Sequence, residues 1–169
     1  MDDPIGPAFL AESVQRIGRA REGIHHSLEQ IRDDDFWWTP VNGVNSAGTI
    51  IQHLAGNLRQ WITSGVGGAP DTRDRPAEFV AAPQAPKATV WSRLTNTLDE
   101  VTAVLTNLPP EALLETRRIQ GFDRSVMSAI YSAVTHLELH AGQIAYLARM
   151  RVGEGYREFW KPANKEQGA

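Results

Sequence analysis

At 169 residues, 41% of them hydrophobic, the chain is the size of one ordinary domain and can bury a core without disulfide or metal staples. It contains no cysteine, which excludes disulfides, thiolate metal sites, iron–sulfur ligation and a protein thiol nucleophile. A formal net charge of −3 with scattered Lys and Arg leaves no basic footprint, so neither nucleic acid nor an anionic membrane is expected as a partner.

The chain starts with Asp2, Asp3 and Pro4 rather than a basic segment followed by an apolar one, and no stretch reaches the ~18 apolar residues of a membrane span. A cytoplasmic protein is the expectation. The first periodic segment runs from about Phe9 to Ile31, where Leu10, Val14, Ile17, Ile24, Leu28 and Ile31 recur at helical spacing. Gly18 and Gly23 each weaken this helix by roughly 1 kcal/mol relative to Ala. Asp33, Asp34 and Asp35 suit a helix C-terminus poorly and should end it. In the first helix His25 reaches at most an edge and His26 is expected to face solvent. Phe36, Trp37 and Trp38 precede Thr39-Pro40 and are expected to plug one end of the structure, with ligand stacking as the lesser alternative.

A second helix should start near Ser46, where Asn45 or Ser46 can cap the unpaired first-turn N–H groups. Ala47, Ile50, Ile51, Leu54, Leu58 and Trp61 form its buried stripe, and Gly65, Gly67 and Gly68 lie beyond its end. From Gly65 to Lys87 the chain holds four prolines and no sustained period, which reads as a long connection, and loops of this length are usually functional or disordered. Trp91, Leu94, Leu98, Val101, Leu105 and Leu108 define the third helix without a miss, and Pro109-Pro110 stops it. The fourth, from about Asp123 or Ser125 to Met150, carries Val126, Ile130, Val134, Leu137, Ala141, Ile144 and Ala148 on one face. Nothing reads as a strand pair. Four amphipathic helices predict an all-α, single-domain four-helix bundle with a long crossover connection, its core about 9–151 and a tail, 152–169, that docks and then frays.

His136 and His140 stand four apart on the fourth helix and project from one face, a spacing that can hold one metal ion. With Leu137 at the centre of the buried stripe, His140 lies about 60° and His136 about 100° to one side, beside the small Ala129 and Ala133. His53 lies about 100° from Leu54 on the second helix, also at an edge. Three imidazoles would suit Zn, Ni, Fe or Cu ions and leave coordination positions open. A satisfied polar pair or a solvated edge remains the commoner reading of such histidines. Glu138 projects about 200° from the pair and should face solvent or a partner subunit.

The run from Asn45 through His53 to Trp61, followed by His136-x-x-x-His140-Ala-Gly-Gln-Ile144, resembles the DinB-like superfamily of bacterial four-helix-bundle metalloproteins. Arg73-Asp-Arg-Pro-Ala-Glu-Phe79 looks like an uncharacterised branch of it. The resemblance implies a bundle with a crossover connection and His53, His136 and His140 as ligands of a divalent transition metal. It also implies a transferase that delivers a small thiol of the bacillithiol or mycothiol type to an electrophile, or a related hydrolase or isomerase. The alternative is a non-catalytic stress-response protein whose metal is structural or sensory, or whose site has lost its role. Asn57 and Gln143 are candidates to touch a substrate or orient the ligands. Arg73 and Arg75 either clamp a carboxylate or pair with Asp71, Asp74 or Glu78. A small-molecule ligand is expected, and relatives of this kind suggest a homodimer, with Trp91 or the aromatic tail as contact.

Overall fold

The computed structural model describes residues 4–79 and 85–161. Four long helices dominate it: α1 (Ile5–Leu28), α2 (Ala47–Leu58), α3 (Lys87–Asn107) and α4 (Val126–Val152). The α2 spiral continues through a π-helical turn, Arg59–Ser64, whose wider winding carries Gln60 and Trp61 onward at a shifted register. The expected cap of α2 is Ser46, and α4 has a cap of the same kind. The Ser46 hydroxyl accepts from the Thr49 N–H at the start of α2, and the Ser125 hydroxyl accepts from the Ser128 N–H at the start of α4. α1 begins earlier and ends earlier than its apolar stripe, and Ile31 is buried beyond the last turn.

α1 packs against α3 and α4, and α2 packs against the same two helices, so α1 and α2 stand on opposite corners of the bundle. The buried stripes meet at the centre through Ile17, Ile24, Leu54, Leu98, Ile130 and Leu137, all at most 2% exposed. Each such side chain contributes on the order of 1.5–3 kcal/mol by leaving water. This topology makes α2 and α4 neighbours, the arrangement in which their edge histidines can meet.

Phe36, Trp37 and Trp38 pack where the chain passes from α1 to α2. Phe36 is fully buried, and Trp37 lies so close to Gly48 that a Cβ there would come within 2.7 Å of its ring. The Trp37 indole N–H donates to the Ala85 carbonyl, while the Arg151 guanidinium lies 4.8 Å above Trp38 and pairs with Asp35. Trp91 stacks on His25 at 5.5 Å within the chain.

Two expectations need correction. Residues Thr116–Ile119 (β1) and Phe122–Ser125 (β2) form an antiparallel hairpin where no strand pair was expected. Only Ile119 is buried, and Arg117, Arg118, Asp123 and Arg124 break any alternation, so the period of two is absent from the sequence. Gln120 and Gly121 make the turn at φ 51° and 81°, the positive values a two-residue hairpin needs, and a glutamine in that role is an uninformative signal. His26, expected in solvent, lies half-buried under the tail, where its ring bonds the Arg157 carbonyl at 2.7 Å. The same strap joins Tyr156 to Ser27 and lays Phe159 over Gly23. The tail therefore docks as expected; its fraying beyond residue 161 lies outside the described residues.

Candidate metal centre

His53 is buried on α2, and His136 and His140 are half-buried on the facing edge of α4. Their rings meet nearly at right angles, with centroids 5.2 Å apart for His53–His136 and His53–His140 and 4.4 Å for His136–His140. One ring nitrogen from each can be chosen so that all three lie within 4.8 Å of one another. The Nε2 atoms of His53 and His136 stand 3.0 Å apart. Two nitrogens each ~2.1 Å from one cation are about 3.0–3.4 Å apart at ligand angles between square and tetrahedral, so the pair fits a shared ion.

The far side of two rings is held as a ligand histidine requires. The His53 Nδ1–H donates to the Glu78 carboxylate at 2.9 Å, and the His140 Nδ1–H donates to the Gln143 side-chain oxygen at 2.7 Å. Each bond fixes a tautomer whose Nε2 lone pair is free for a ligand bond. Protonation is suppressed as well. Burial chiefly, then the neighbouring His140, His53 and Arg73, pushes the His136 imidazole down to about 4. Burial also lowers His140, against the bond it donates to Gln143.

Glu78 comes from the connection between α2 and α3, in the short helical turn Pro76–Phe79. Arg73 grips it with two bonds, Nε to Oε1 at 2.6 Å and Nη2 to Oε2 at 2.8 Å, and the two side chains are 4% and 9% exposed. Burial opposes the charged carboxyl, but Arg73 and His53 together hold it below its ordinary value. Gln60 fixes the clamp from behind: its side-chain oxygen accepts from Arg73 and its amide donates to Asp71. The loop can come this close because Gly56 has no side chain; a Cβ there would overlap the Glu78 carboxylate.

The remaining sequence candidates divide. Gln143 orients His140. Asn57 and Arg75 line a cavity of about 310 Å³ beside His53 and His136. Arg73 borders that cavity too, but its guanidinium is spent on Glu78, the ion-pair alternative of its two expected roles. Glu138 turns away to α1, where Arg16 donates to it at 3.2 Å. Glu78 as the partner of His53, and Gln60, Phe79 and Gln120 as neighbours of the site, were not expected. The readable signal was Gly56, a glycine three residues after His53 on the same helix, which permits a close approach from outside.

A family model described as protein of unknown function (DUF1572) matches residues 4–165. No curated protein matches. Among solved structures, a conserved protein of Enterococcus faecalis superimposes with a TM-score of 0.72 at 19% identity, covering 85% of this chain and 97% of its own. A DinB-like protein (YjoA) of Bacillus subtilis gives 0.66 at 14% identity, covering 89% and 99%. At these identities the two establish the fold, which is that of DinB-like proteins. Among the described residues no helix is long and apolar enough to cross a membrane.

Proposed function

We propose, from the premise that this chain belongs to the DUF1572 family of proteins of unknown function, that His53, His136 and His140 hold one divalent transition-metal ion between α2 and α4. The observation that carries this is the meeting of three imidazoles with two of their Nδ1 atoms already engaged by Glu78 and Gln143. Three neutral nitrogen ligands suit Zn, Ni or Fe, and the adjoining cavity leaves room for a further ligand.

The activity we infer is transfer of a low-molecular-weight thiol, of the bacillithiol or mycothiol type, to an electrophilic substrate. A bound metal supplies acidification of a ligated thiol, so that it reacts as thiolate. The chain's own part is to hold the ligand rings, to seat the thiol in the cavity beside Asn57 and Trp61, and to offer no competing protein thiol. The second reading, a metal that stabilises the bundle or senses a ligand, draws support from Glu78 and Arg73, which tie a whole connection to His53.

Metal analysis of untagged protein, with His53→Ala and His136→Ala beside the wild type, tests the site. About one ion per chain in the wild type and loss in both variants is expected. Wild-type protein that stays metal-free after addition of divalent ions would refute both readings. Turnover of a model electrophile with bacillithiol, mycothiol or glutathione supports the transferase. Metal-dependent thermal stability without turnover supports the structural or sensory reading. A homodimer, should it form in solution, has Trp160, 63% exposed, as an available contact.

A further inference from the structure

The cavity beside the histidines has a charge imbalance. It is walled by Asn57 of α2, Trp61 of the π-helical turn, Ser132 and His136 of α4, Gln120 of the hairpin tip, and Arg75, and no carboxylate of the described residues lines it. The Arg73 charge is balanced by Glu78. Arg75 is different: among the described residues no ion pair engages it, and the neighbouring Asp74 instead accepts from the Ala77 N–H. The Arg75 guanidinium lies 5.4 Å over the Phe79 ring, and that ring lies 5.3 Å from His53. Phe79 thus brings an exposed guanidinium, without an ion pair among the described residues, beside the three histidines. Stacking occupies the guanidinium face and leaves its N–H edge for an oxyanion.

We infer that the cavity takes a small molecule bearing a carboxylate, gripped by Arg75 while another of its polar atoms reaches the histidine nitrogens. A carboxylate fits the edge of a single guanidinium through two parallel bonds, whereas a phosphate dianion would leave one of its charges uncompensated by Arg75. Amide and hydroxyl groups from Asn57, Gln120 and Ser132 supply neutral donors around the same space. The cavity volume is near the lower limit of ligand pockets, which fits a compact acid rather than a polymer.

This inference rests on the metal reading for the second contact but not for the first, so the two fail separately. Binding of 3-mercaptopropanoate, its neutral amide and propyl phosphate is followed by nuclear magnetic resonance in metal-free and in zinc-loaded protein. In both forms the acid is expected to bind at least about tenfold tighter than the amide, and Arg75→Gln should bring the metal-free ratio to within about twofold of one, with partial rescue by Arg75→Lys. A wild-type ratio near one, a metal-free ratio that survives Arg75→Gln, or tighter binding of propyl phosphate overturns the carboxylate site. Failure of zinc to bind, with the acid preference intact in metal-free protein, upholds the carboxylate site and removes the metal reading.

Discussion

Two histidine–carboxylate pairs in this molecule share their chemistry and differ in everything around it. His25, in the last turn of α1, and Glu29, its C-cap, are separated by 3.9 Å, with side chains 50% and 62% exposed. His53 and Glu78 come from different segments, meet at 2.9 Å, and are 11% and 9% exposed. Water screens the first pair and satisfies each member without the other, so its net worth is small. The second pair is shut away with Arg73, and the Glu78 carboxylate cannot be removed without leaving the buried Arg73 guanidinium unpaired. Proximity along a helix is cheap; a contact that draws a connection inward marks a place where position matters.

The largest test of this contrast is removal of each carboxylate. Glu78→Ala leaves the Arg73 guanidinium, 4% exposed, without its partner and should cost on the order of 3 kcal/mol in urea unfolding, the low end for a broken buried pair because a connection can relax. Glu29→Ala should stay within about 0.5 kcal/mol. Equal losses would erase the distinction.

A smaller effect is expected from pH at the buried site. Because the folded His136 lies at about 4 and its unfolded value near 6.5, the unfolded chain binds the extra proton between those values. Stability of metal-free protein from this group is complete above about 6.5 and is lost as pH falls toward about 4, by no more than roughly 1–2 kcal/mol given its partial exposure. His136→Gln should flatten that segment of the stability profile.

The finest test acts through backbone space. Gly56→Ala gains about 1 kcal/mol of helix propensity but pushes Glu78 away from His53. Overall stability should change little while zinc affinity, measured by chelator competition, falls about tenfold. Unchanged affinity would show that Glu78 has no say in how His53 binds.

The helices were legible because Leu94, Leu98, Val101 and Leu105 repeat without interruption and because Ser46 and Ser125 stand where caps belong. The histidines were legible as edge residues, and their meeting followed once α2 and α4 proved to be neighbours. The hairpin was not, since its one buried residue, Ile119, gives no alternation to read. Nor was the role of Glu78, because a contact 25 residues from His53 leaves no periodic trace in a proline-rich connection. The sequence offered Arg73 and Arg75 as equivalent, and only packing separates the one that braces Glu78 from the one that faces the cavity.

His53 and His136 are 83 positions apart. A cation held by both would act as a removable cross-link in a chain that can form no disulfide. Closing a loop of that length in the unfolded chain costs on the order of 4 kcal/mol of entropy, and the ligands can be gathered only after the last helix has docked. Metal occupancy would therefore report on completion of the fold, and a chelator would act as a reductant acts on a disulfide protein.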